Sequence, residues 1–296
     1  MKYVFNSLEV DSDSIFVALT TGRKNGNEFA EDAFMRGAKF LILSQEPDFE
    51  IPSEKFIVVQ DTLEYITNLA RQKFWNLLIQ GVKTISITGS IGKTTTKDFL
   101  IFLLTLVGEK VYGTSGNLNN NIGVPFTILN SPTDINFLVL EMGMNNPGEI
   151  AYLNNIANCD IKIITDISAA HIGNFSNGLK DISAAKGEIL NQSNAETVFI
   201  TKPDLLFLQN ITSTFKGKIN LIGEASKYFI KNGKTYFEVN GKNYFLSKVK
   251  TKEWLKSILF GFKVLEVLGL PFPKDISSFT LAAGRGDETI LKNGCT

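Results

Sequence analysis

Two glycines, Gly89 and Gly92, are separated by Ser90 and Ile91 and followed at once by Lys93, Thr94 and Thr95. These are residue types suited to wrapping a backbone around an anion. Glycine lets N–H groups turn inward toward phosphate oxygens, with no side chain to block the approach. Lys93 would add a point charge at the outer phosphates, Thr94 a hydroxyl for Mg²⁺, and the helix that follows would aim its positive N-terminus at the anion. The usual spacing G-x-x-x-x-G-K-[ST] would put a glycine at Ile87, so this loop is two residues tighter yet keeps every other functional group. The expected ligand is a nucleotide with Mg²⁺, and the expected cofactor-binding set is Gly89, Ser90, Ile91, Gly92, Lys93, Thr94 and Thr95.

Further chemistry-bearing residues follow the loop. Glu141 closes the apolar run INFLVLE, where a phosphate-loop protein needs a carboxylate to hold Mg²⁺ opposite the threonine; its alternative is a solvent-facing acid at a strand end. His171, the single histidine, follows the apolar run IKIITDI and would share a rim with Gly92 and Glu141 if the strands are parallel; alone, such a histidine is more often a surface or core residue. Lys186 lies in the helix-like ISAAKGEIL, where lysines are usually solvated. Asn117, Asn119, Asn120 and Asn121 in GTSGNLNNNIGVP either recognise a polar ligand or shape turns. In MGMNNPGEI, Asn145, Asn146 and Pro147 are expected to start a helix carrying Glu149.

The elements that must position these residues form an alternating pattern. Residues 1–80 predict a small α/β unit: strands at SIFVAL, KFLILS and FIVVQ, a helix over EFAEDAFMRGA, and a helix from Thr62 with apolar residues at Leu63, Ile66, Leu69, Ala70, Phe74 and Leu77. Residues 81–284 predict a second unit with strands at TISIT, EKVYG, NFLVLEMG, IKIITDI, TVFIT and INLIG, most separated by one helix. That alternation implies a mostly parallel sheet flanked by helices, with ligands at the carboxyl ends of its strands. TYFEVNGKNYFL predicts a hairpin turning on Asn240 and Gly241, and a last helix spans about Glu253 to Leu268, before Pro271.

Composition narrows the function classes. Thirty acidic and thirty basic residues among 296 give no net charge and no basic run of the kind nucleic-acid binding needs. The longest apolar run, Phe99 to Val107, is too short to cross a bilayer, so no membrane insertion is expected. MKYVFNSLEVDSDS carries acids where a signal peptide would be apolar, and two distant cysteines, Cys159 and Cys295, offer neither a disulfide framework nor metal spacing. The expectation is a cytoplasmic protein with two globular units.

TGSIGKTT, GNLNNNIGVP, LEMGMNNPGEIAYL and AAHIGNF…AAKGEI, in this order, resemble the ATP-dependent Mur ligases, most nearly the members that add D-alanyl-D-alanine. The resemblance implies a peptidoglycan-precursor ligase whose substrates are UDP-N-acetylmuramoyl-tripeptide and D-alanyl-D-alanine, joined through an acyl phosphate. It implies Thr94 and Glu141 on one Mg²⁺; Glu141, His171 and a carbamylated Lys186 at a second; Asn119 and Asn120 facing the muramoyl peptide; Ser7 and Asn25 near the uridine; and Ser257 at the adenine-contacting position. Catalytic roles fall to Lys93, Glu141, His171 and Lys186. Residues 285–296 would begin a linker to a C-terminal domain that the 296 residues do not include, with a separately encoded copy as a further partner. Two alternatives are an inert fragment that binds nucleotide or UDP-sugar peptide, and a Mur-type ligase of different specificity.

Overall fold

The computed structural model describes residues 1–280 apart from Thr21, Arg23, His171 and Val249, and leaves the Glu253 side chain undescribed. The chain opens with a four-stranded parallel sheet in the order β1 (Lys2–Val4), β2 (Ser14–Val17), β3 (Phe40–Leu43), β4 (Phe56–Val58). Two helices attend it, α1 (Ala30–Met35) and α2 (Thr62–Ile79), the second started by Asp61, whose side chain accepts from the Glu64 N–H. The period-two alternation of a strand sorts side chains to two cores. Val4, Phe16, Leu41 and Leu43 meet Ala30 and Ala33, whereas Ile15, Val17 and Ile42 face Ile66, Ala70 and Phe74 of α2.

The second sheet is six-stranded and wholly parallel, in the order β10 (Lys218–Leu221), β9 (Val198–Thr201), β8 (Ile161–Ile164), β5 (Lys83–Thr88), β7 (Phe137–Glu141), β6 (Val111–Gly113). From β5 the chain first runs to the edge strand β6 and returns to β7 between them, then crosses to the other side of β5 for β8, β9 and β10 in turn. The strand order therefore reverses beside β5, the place where open α/β sheets hold ligands. Helices cover both faces: α4 (Gly123–Asn130), α5 (Glu149–Ile156), α6 (Leu179–Gly187) and short α7 (Leu208–Thr212) on one, α3 (Lys93–Leu106) and α8 (Lys252–Leu268) on the other. The two sheets belong to one packed body. Leu138 and Leu140 of the large sheet share a core with α2, and Asn130 at the end of α4 both accepts from the Tyr3 N–H (2.7 Å) and donates to the Tyr3 carbonyl (3.0 Å).

A third, antiparallel sheet corrects the expectation of a single hairpin. β12 (Lys234–Val239) and β13 (Lys242–Leu246) pair as expected through Asn240 and Gly241, at φ 49° and 75°. Asn232 and Gly233, at φ 50° and 70°, make a second turn of the same kind and add β11 (Ser226–Lys231). β1 was likewise not foreseen, because three residues carry too little periodicity to register. Phe237, Val239, Tyr244 and Leu246 of the small sheet join the core beneath α8, where Phe99 of α3 is ringed by Phe262 (5.7 Å) and Phe279 (4.9 Å, edge-on). Gly261 lets the two helices approach, since a Cβ there would stand 2.9 Å from Leu103 and 3.0 Å from Phe99. Phe99→Ala should cost about 3–5 kcal/mol, read as a lower urea midpoint at unchanged slope, because the cavity lies where neither helix can collapse inward.

Candidate functional site

The loop after β5 takes the conformation its glycines permit. Gly89 has φ 148° and Gly92, immediately before α3, has φ 86°. Both positions demand glycine for a reason beyond access by a ligand. A Cβ on Gly89 would lie 2.0 Å from Thr165 Oγ1, and one on Gly92 would lie 2.8 Å from Ser257 Oγ. The loop is stitched to the end of β8: Ser90 donates its N–H to the Asp166 carbonyl (2.9 Å) and its hydroxyl to the Ser168 carbonyl (3.0 Å), and Thr165 donates to the Ile91 carbonyl (2.6 Å). The first turn of α3 has no earlier helical carbonyl to donate to, so its N–H groups and the helix dipole converge on the mouth of the loop. Lys93 folds back to donate to the Gly89 carbonyl (2.7 Å).

Three residues from three elements meet beside this mouth. Thr94 donates to Glu141 Oε1 (3.0 Å), and so does the Asn119 amide (2.8 Å); the Glu141 backbone N–H is in turn held by Thr114 Oγ1 (3.0 Å). Parallel register sets this meeting, because Ile87 is paired with Glu141 and the chain needs only a short turn to bring Thr94 alongside. Glu141 Oε2 is buried and receives no hydrogen bond. Its nearest cation is Lys97 at 3.8 Å, itself only 1% exposed.

These residues fit a magnesium ion. A hydroxyl and a carboxylate with one undonated buried oxygen are hard oxygen donors of the kind that ion selects. Among the described residues no three His, Cys, Asp or Glu side chains cluster as a metal site, so an ion here would have few protein ligands and complete its shell with phosphate oxygens and water.

The other expected residues are distributed more widely. Lys186 is buried on α6, and its amine is pushed down to about 7, first by desolvation and then by the charge of Lys93, against the opposing pull of Asp166. Asp166 itself is held by Lys202 at 2.6 Å. His171 and residues 285–296 lie outside the described residues. Ser257 of α8 sets its hydroxyl against Gly92 and accepts the Thr96 hydroxyl at its carbonyl (3.0 Å). Thr95 lies in the first turn of α3, and Ile91 is exposed at the tip of the loop. Asn120 precedes α4, its Oδ1 accepting from the Ile122 and Gly123 N–H groups, and also lines a cavity of about 340 Å³ with Asn145, Glu149 and Tyr152. Ser7 and Asn25 do not come together. Ser7 lines a cavity of about 620 Å³ with Phe5, Lys24 and Phe29, whereas Asn25 caps a short turn and borders a separate cavity of about 420 Å³ rich in Glu28, Glu31, Glu46 and Asp48.

Residues that sequence reasoning missed include Lys97, Thr114, Thr165 and the Asp166–Lys202 pair. Lys97 had a signal: it falls one turn after Lys93 and three residues before Leu100, on the buried stripe of α3, where a charge is out of place.

Residues 87–264, more than half of the chain, match the model of the Mur ligase middle domain. The chain belongs to the Mur ligase family. It is 35% identical over 205 residues to the UDP-N-acetylmuramoyl-tripeptide–D-alanyl-D-alanine ligase of Bacillus subtilis, an alignment covering 69% of this chain and 44% of that one. The chain therefore spans less than half the length of that relative. MurF from Acinetobacter baumannii superposes with a TM-score of 0.83 at 26% identity, covering 96% of this chain and 64% of that one. MurF from Thermotoga maritima in complex with ADP superposes at 0.80 and 28%, covering 96% and 67%. No described helix of this Mur ligase is long and apolar enough to cross a membrane.

A Lys186 amine near 7 when folded and 10.5 when unfolded implies a definite sign. Between those values the unfolded chain binds more protons, so stability rises with pH across that window and the full penalty applies below it. In CO₂-free buffer, wild type should gain more than about 1 kcal/mol relative to Lys186→Met between pH 6 and pH 9, measured by urea denaturation.

Proposed function

We propose that this Mur ligase is of the MurF type: an ATP-dependent ligase joining UDP-N-acetylmuramoyl-tripeptide to D-alanyl-D-alanine. The observation that carries the reading is the meeting of Thr94, Glu141 and Asn119 at the mouth of a glycine loop at the switch point of a parallel sheet. The ADP found in the Thermotoga maritima protein supports the nucleotide. On this reading residues 1–80 hold the UDP substrate, with Ser7 and Asn25 contributing, and residues 81–284 bind ATP, whose use assigns the reaction to the cytoplasm.

The tripeptide carboxylate attacks the γ-phosphorus, the bond to the bridging oxygen breaks and ADP departs. The dipeptide amine then attacks the acyl carbon, loses a proton, and inorganic phosphate leaves as the amide forms. A carboxylate is a poor electrophile with a poor leaving group, and phosphorylation corrects both defects. Loop amides and the α3 dipole bind the phosphates, and Lys93 opposes the charge gathering on the transferred group. Thr94 and Glu141, with Asn119 orienting the carboxylate, would hold Mg²⁺, which supplies charge neutralisation at the phosphoryl oxygens. Asn120 borders the cavity where the muramoyl peptide would lie, and Asn119, held on Glu141, would face the same substrate. Ser257 would contact the nucleotide, and His171 and Lys186 would complete a second ion site.

Titration calorimetry with Mg·ATP tests the nucleotide half of the proposal. Wild type should bind, and Lys93→Ala should weaken binding at least about tenfold, the loss of one charge-assisted contact. Mass spectrometry tests the rest: with both substrates and ATP, the UDP-pentapeptide product should appear with stoichiometric ADP. Binding without product would leave a nucleotide-binding unit and refute the ligase assignment for these 296 residues.

A buried amine near neutrality also favours addition of CO₂, with loss of a proton, to give a carbamate at Lys186. A carbamate signal in ¹³C NMR should appear in labelled bicarbonate and vanish in Lys186→Met.

A further inference from the structure

Lys97 is the feature of the site that the proposed chemistry does not use. Its ammonium is buried, donates to the Gly116 carbonyl (3.3 Å), and lies 3.2 Å from Asp98 Oδ1 and 3.8 Å from Glu141 Oε2. The Glu141 carboxylate is asymmetric. Oε1 takes two hydrogen bonds, from Thr94 and Asn119, while Oε2, equally buried, takes none. A buried carboxylate oxygen normally finds a donor, and here the nearest one stands beyond hydrogen-bonding range. Electrostatic attraction falls off slowly with distance whereas a hydrogen bond does not, so Lys97 stabilises the anion without occupying the lone pairs of Oε2.

We infer that Lys97 is a positioning residue that acts as the resident cation of the divalent-ion site. It balances the Glu141 charge while the ion is away, and leaves Oε2 undonated for the ion to take. The inference rests on the Mg²⁺ site proposed above and adds to it a residue that touches neither substrate nor nucleotide. One consequence separates this role from simple packing. A cation so close to the ligand oxygen both supports the ion-free protein and opposes entry of a second cation, so neutralising it should destabilise the ion-free state and strengthen ion binding together.

The test uses nucleotide-free protein at constant ionic strength, with Mg²⁺ added while the melting temperature is followed, and Mn²⁺ binding counted by electron paramagnetic resonance of the free ion. Lys97→Met and Lys97→Gln, the second of which keeps a donor for the Gly116 carbonyl, should melt lower than wild type without metal. Both should recover most of that loss with Mg²⁺, and half-saturate at a metal concentration at least threefold lower. Lys97→Arg, which keeps the charge, should follow wild type. Equal metal midpoints and equal melting shifts in wild type and the neutral variants would overturn the inference, as would a loss in both neutral variants that metal does not repair. Failure of wild type itself to bind either ion, with ATP binding indifferent to Mg²⁺, would instead remove the divalent site on which the inference depends.

Discussion

The parallel pairing of β5 with β7 on one side and β8 on the other is the constraint from which the site follows. Ile87 opposite Glu141, and Thr88 opposite Ile164, bring three strand ends to one rim, although their residues lie far apart in the chain. A one-residue slip in either pairing would turn a buried apolar strand inside out, so the register is fixed by the two cores that sandwich the sheet. Because that register is enforced by packing, a bond such as Thr94 to Glu141 spans 47 positions without needing to organise the chain itself.

Charge is the second theme of the rim. Lys97, Glu141 and Lys186 are all buried, and none sits in a simple one-to-one ion pair with ideal hydrogen bonds. Breaking up buried charges in this way costs stability, and the surrounding cores must supply the surplus. The aromatic cluster about Phe99, packed where α3 meets α8, is one part of those cores.

Much of this architecture was legible in the sequence. The glycine loop, the carboxylate closing an apolar run and the alternation of strand and helix all follow local periods that a single chain displays openly. The omissions have physical causes. β1 has three residues, and β11 carries a register shift and a mostly exposed face, so neither leaves a clean pattern. Asn232–Gly233 carried the same turn signal as Asn240–Gly241 but followed a strand with no apolar alternation to mark it. Thr165, Asp166 and Lys202 act through contacts between crossover-linked strands, which no local window contains. The glycine requirement at Gly89 was anticipated from ligand access, whereas Thr165 imposes it from within.

The stitching of the loop to the end of β8 has a thermodynamic corollary. Ser90 and Thr165 fasten the turn at several points before any ligand arrives, so its conformational entropy is surrendered during folding. Capture of an anion by such a cradle requires little further ordering, and its affinity reflects contact energy with small deduction for freezing the chain.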